Sequence, residues 1–139
     1  MKHIDTMPPD GLFERVVAKW PEVAHHPYVV FAYGDAIYNP SGKEIPSYME
    51  VHESVHQAQQ LAIGGPKIWW DKYLTDDQFR LKQEIEAYHE EYKFYCTLYK
   101  DRNDQYDFLR FQSLMLSSPM YGNLLTRLEA EKIIKNGQH

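Results

Sequence analysis

A single cysteine, Cys96, stands among 139 residues, so no intrachain disulfide framework can form and a covalently stapled scaffold is excluded. A reducing compartment is the simplest home for such a chain. Long apolar runs are also missing. The longest, Tyr28 to Tyr33, is far short of the ~20 residues that span a bilayer, and the start MKHIDTMPPDG has no apolar signal core. A cytoplasmic protein with no membrane partner is therefore expected. Cations are in the minority, 15 Lys+Arg against 20 Asp+Glu for a net −5. Without a basic stripe, no nucleic-acid partner is expected. Neither a repeat nor a Gly/Ser/Pro linker divides the chain, and there is no phosphate loop, dinucleotide fingerprint or Ser nucleophile elbow.

What is present is apolar and aromatic: 43% hydrophobic, with 11 Tyr, 6 Phe and 3 Trp. That is enough for one core in a single domain over residues 1–139. Asp10 is placed to cap a first helix that ends at Pro21. Tyr28–Tyr33 and Ala36–Tyr38 are β-branched and aromatic runs around Gly34-Asp35, which predicts an antiparallel hairpin and the only convincing strands. Ser47-Tyr48-Met49-Glu50 has the capping-box form and predicts a helix from about 48 to Ile63, stopped by Gly64-Gly65-Pro66. A short helix over Ile68–Tyr73 follows, then a long one capped within Thr75–Gln78 and reaching about Lys100. A further helix runs from Asn103 or Asp104 to Leu116, and the last runs from the capping box Thr126–Glu129 to Gly137. The expectation is an α+β fold, mostly helical, with one small sheet.

Inside the helix that follows Ser47 stands His52-Glu53-Ser54-Val55-His56. Residues four apart share a helical face, so two imidazoles can converge on one zinc while Glu53 faces a water on the metal. Chance would give this H-E-x-x-H spacing about 0.03 times in a chain of this composition. At ~100° per residue, Val51, Val55, Ala58 and Ala62 form the expected core stripe, with His52 and His56 at its border. A catalytic zinc needs a third protein ligand. The long helix has an apolar stripe through Leu81, Ile85, Tyr88, Tyr92, Tyr95 and Tyr99. Glu84 lies near that stripe and looks in, whereas Glu86 and Glu90 look out. Glu91 and His89 are held in reserve.

His52-Glu53-x-x-His56 with Glu84-x-x-Ala87-Tyr88 on a second helix resembles the gluzincin branch of zincin metallopeptidases over roughly residues 28 to 95. It is most similar to small members of that branch, including metallopeptidase-like proteins of unknown substrate from phage and bacterial genomes. The resemblance implies a zincin-like domain, Zn²⁺ on His52, His56 and Glu84, and a peptide or protein substrate. It implies hydrolysis through a metal-bound water, with Glu53 as general base. It also implies that the edge of the preceding hairpin pairs with an extended substrate. Related gluzincins often carry an Asp four residues after the ligand Glu; here that residue is Tyr88, so another group must orient the histidines, and Asp35 and Glu91 are candidates. Tyr121, in a loop able to reach across a cleft, is the expected oxyanion donor. The alternative from another class is a catalytically inactive zincin-like module for zinc or protein binding. His25-His26-Pro27 reads as a loop, Trp69-Trp70 as core or groove lining, and Cys96 as a packed thiol.

Overall fold

The computed structural model describes residues 2–26 and 29–138. The chain runs β1 (Lys2–Ile4), α1 (Leu12–Lys19), a 3₁₀ turn (Pro21–His25), β2 (Phe31–Tyr33), β3 (Ala36–Tyr38) and α2 (Ser47–Ile63). It continues with α3 (Pro66–Thr75), α4 (Asp77–Leu98), α5 (Arg102–Leu116), a second 3₁₀ turn (Pro119–Tyr121) and α6 (Arg127–Asn136). This is the expected α+β architecture, predominantly helical. The expected hairpin forms at Gly34, whose φ of 64° is open to glycine. Its first strand is shorter than expected, and Tyr28 lies outside the described residues.

The sheet is mixed, not purely antiparallel. β1 adds to β3 in parallel, giving the order β1-β3-β2. Nothing in Lys-His-Ile announces a strand, since three residues cannot display an alternation. β2 is left at an edge and packs against α2.

Local chemistry explains the helix ends. Asp76 accepts from the Phe79 N–H and Asp101 from the N–H groups of Asn103 and Asp104, so α4 and α5 start at side-chain caps. Thr126 and Glu129 close a full capping box on α6. Two expected caps are absent. Asp10 is itself left-handed at φ 61° and accepts from the Tyr33 hydroxyl, leaving Gly11 at the start of α1. Ser47 already belongs to α2, which Pro46 opens without a side-chain cap, and Glu50 pairs with His3 instead.

Two apolar clusters flank the centre of the molecule. One gathers Leu81, Ile85, Tyr88, Leu109, Leu116 and Ile134 from α4, α5 and α6. The other gathers Leu12, Val16, Trp20, Phe31, Trp69 and Tyr73 from α1 and its C-cap, β2 and α3. Where α2 crosses α4 between them, α2 turns in an unexpected face. His56 and Gln60 are its buried residues, while Ala58 and Ala62 are exposed and Leu61 is 84% exposed. At ~100° per residue, the buried face lies roughly 150° from the expected Val51–Ala62 stripe.

Candidate metal centre

α2 and α4 bring three ligand atoms together. His52 Nε2 lies 3.0 Å and His56 Nε2 2.9 Å from the same oxygen, Glu84 Oε1, and the three ligand atoms fit within 4.8 Å of one another. A tetrahedral zinc with ligands at ~2.0–2.1 Å sets its ligand atoms ~3.3 Å apart, so the two nitrogen-to-oxygen separations need open by only a few tenths of an ångström. His56 and Glu84 are 5% and 4% exposed.

The outer faces of the imidazoles decide what occupies the inner ones. His52 Nδ1 meets Glu91 Oε1 at 3.1 Å, and a carboxylate only accepts. His56 Nδ1 meets Gln59 Oε1 at 2.8 Å. Gln59 cannot be turned round, because its Nε2 donates to the Gln83 carbonyl at 3.0 Å and faces the Glu86 carboxylate at 3.4 Å, both pure acceptors. Both Nδ1 atoms therefore carry the proton, and in neutral imidazoles both Nε2 lone pairs point at Glu84 Oε1. Three acceptors converge with no hydrogen among them. Two protons on the histidines or one divalent cation relieve this, and either adds the same charge of +2.

Electrostatics match that geometry. Burial disfavours the His52 imidazolium, but the bonds to Glu84 and Glu91 outweigh it and hold His52 well above the ordinary histidine value. His56 is raised against its own burial chiefly by Glu84. Burial would raise Glu84, yet His56 and His52 hold it well below the usual carboxylate range. A cation is wanted at this point. Glu53, on the wall of the same cavity, is raised by burial against the downward pull of His56 and His52.

The far oxygen of Glu84 is fixed separately. The hydroxyls of Tyr73 and Tyr121 donate to Oε2 at 2.5 and 3.1 Å, which leaves Oε1 alone to face the histidines. Arg80, 1% exposed, holds the segments carrying both tyrosines: its Nη1 donates to the Tyr73 carbonyl at 2.6 Å and its Nε to the Met120 carbonyl at 2.8 Å.

The structure thus gathers Glu53, His52, His56, Glu84 and Tyr121 around one cavity of about 600 Å³. Tyr121 reaches it, but with its hydroxyl engaged by Glu84. Of the two candidate orienting groups, Glu91 serves His52 and is itself held by Gln112 Nε2 at 3.0 Å. Asp35 is instead on the surface, paired with Lys2. His89 bonds the Ile134 carbonyl, and Glu86 is exposed. Trp69 and Trp70 are both core and cavity wall.

The expected pairing edge is closed. The Ala32 carbonyl on β2 accepts from Gln60 Nε2 at 2.7 Å and Trp70 Nε1 at 2.9 Å, and Gly34 N–H donates to Gln60 Oε1 at 2.9 Å. Gln59, Gln60, Gln112, Tyr73 and Arg80 were not legible as site residues, although Gln59 stands three residues after His56 on the same helical face, a spacing that brings side chains together. No family model, no curated protein and no solved structure matches this chain.

Proposed function

We propose that the chain is a zinc-dependent metallopeptidase of zincin type, with His52, His56 and Glu84 holding the ion. The observation that carries this reading is the convergence of two Nε2 atoms and one carboxylate oxygen whose outer partners leave no hydrogen between them. Among the described residues the group offers three ligands, which fits an open catalytic position better than the closed four-ligand set of a structural site. Bound zinc would supply Lewis acidity toward a scissile carbonyl and make water a better nucleophile at neutral pH.

The chain's own groups do the rest. Glu53 takes the proton of the attacking water and returns it to the leaving amine, a role suited to a carboxyl raised by burial. Glu91 and Gln59 keep the Nε2 atoms turned inward, and Tyr73 and Tyr121 keep Glu84 presenting one oxygen.

Metal analysis of protein purified without added zinc, paired with peptide hydrolysis by the wild type and Glu53→Gln, tests the proposal. One zinc per chain in both proteins and hydrolysis only in the wild type is expected, because an amide cannot accept the water's proton. Absence of metal, or equal hydrolysis by both, refutes it. Zinc without hydrolysis in the wild type would identify a binding module.

A further inference from the structure

In the cavity, the groups that recognise a ligand are divided unevenly. Backbone pairing is blocked where an extended peptide would seek it. β2 is the edge strand of the hairpin, the other edge of the sheet being β1, but both lone pairs of the Ala32 carbonyl are taken, by Gln60 and Trp70, and Gly34 N–H is taken by Gln60. Gln60 is 1% exposed and holds both groups at once, so a peptide would have to break a buried, satisfied network to add as a strand.

The remaining wall is mainly apolar. Trp20, Phe31, Trp70, Phe108, Met115 and Met120 line the cavity of about 600 Å³ above the His52, His56 and Glu84 cluster, and among the described residues no Lys or Arg does. Glu53, Glu84 and Glu91 share the wall. A free carboxylate on the ligand would find three acids and, apart from histidines, no basic side chain. Trp70 serves both features, closing the strand edge with its Nε1 and facing the cavity.

We propose that this site recognises its substrate by inserting one bulky apolar or aromatic residue next to the scissile bond, and that the β2 edge adds no strand pairing. The substrate class is a short or locally compact peptide with a large apolar residue at the cleaved amide and no carboxylate beside it. This rests on the metallopeptidase reading.

Three hydroxamic acids on the zinc-loaded chain test it: acetohydroxamic, 3-phenylpropanohydroxamic and succinic monohydroxamic acid. The phenyl compound is expected to bind about 10- to 100-fold tighter than the acetyl one, the factor for burying one phenyl-sized group, and the carboxylate no tighter than the acetyl. A second pair, N-acetyl-Ala-Ala-Phe hydroxamate with free or N-methylated backbone amides, is expected to bind alike to within about threefold. Loss of one strand-type hydrogen bond from a desolvated partner would cost about tenfold. A parallel titration of metal-free protein with 3-phenylpropanamide and propanamide, followed by tryptophan fluorescence, reads the cavity alone. Only the phenyl amide is expected to saturate the signal. Equal binding of the two tails in both forms, tighter binding of the carboxylate, or a tenfold loss on N-methylation overturns the inference. If the chain takes up no zinc, the metallopeptidase reading falls while the amide titration still decides whether the cavity selects a bulky apolar group.

Discussion

Replacing Glu84 by Gln separates metal binding from folding. In the metal-free protein an amide fits the network: its oxygen can accept from Tyr73 and Tyr121, and its nitrogen can donate to the two Nε2 atoms that Oε1 now faces at 2.9 and 3.0 Å. Folding should therefore survive, although the ligand has become a donor aimed at the ion. With ~2.1 cal/mol/K of unfolding entropy per residue, 139 residues give about 0.29 kcal/mol/K. Free zinc at 1,000 times Kd stabilises by about 4.1 kcal/mol, a rise of roughly 14 °C in Tm for the wild type. A hundredfold loss of affinity removes about 2.7 kcal/mol of that, or roughly 9 °C. Calorimetric melting of Glu84→Gln and Glu86→Gln with and without zinc makes the comparison, since Glu86 is exposed on the same helix and each change removes one negative charge. The expected pattern is a metal-free Tm within a few degrees of wild type for both, with the zinc response cut to roughly 5 °C only at position 84. If Glu86→Gln or His89→Ala removes the response and Glu84→Gln keeps it, the ligand assignment is wrong.

Tyr73→Phe keeps the ring stacked on Trp69 at 4.8 Å but deletes the donor to Glu84; about 2 kcal/mol of stability, the worth of a hydrogen bond to a buried charge, should vanish in urea unfolding, and an unchanged midpoint would refute the role. Zinc affinity should also fall at least about tenfold. Gln60→Leu leaves the Gly34 N–H without its partner, so a loss of about 1–3 kcal/mol is expected, and a stabilised variant would contradict the closed edge. The pH dependence has a definite sign. Raised His52 and His56 values stabilise the metal-free fold at low pH, a contribution lost as pH climbs through their folded values, while the lowered Glu84 value stabilises it until pH falls through the acid range. Zinc needs the histidines deprotonated. The Tm gain on adding zinc should therefore grow between pH 5.5 and pH 8, and a gain that shrinks with pH would place the ion elsewhere.

The clustering of His52, His56 and Glu84 was readable because spacing alone constrains it. His56 stands four positions after His52, and on α4 the stripe through Leu81, Ile85 and Tyr88 brings Glu84 inward, where the structure finds it buried. The stripe succeeds on α4 because that face is apolar apart from its acids. It fails on α2, where periodicity assumes that apolar residues seek the interior. The hydrogen-bond partners were illegible for a different reason: Gln112 and Glu91 come from separate helices, 21 residues apart, and no local pattern encodes such a meeting. β1 escaped because its pairing with β3 joins residues some 34 positions apart, Lys2 to Ala36.

The rotation of α2 is itself an argument about function. Turning Val51, Val55, Ala58 and Ala62 inward would bury their apolar surface, whereas the observed orientation leaves Ala58 and Ala62 exposed and forgoes about 0.8 kcal/mol for each methyl left in water. It also takes His56 and Gln60 out of water, which is tolerable only because each finds partners: Gln60 on the backbone of β2, His56 on Gln59 and Glu84. Packing energy does not favour this face, so the contacts that hold it inward must. They are the strand anchor at Gln60 and the cluster at His52, His56 and Glu84. Local rules of burial yield most often at sites that do chemistry, and here the departure is confined to the helix face that carries the H-E-x-x-H residues. A divalent ion between Nε2 and Oε1 would turn the most costly part of that face, three converging acceptors, into its strongest tie.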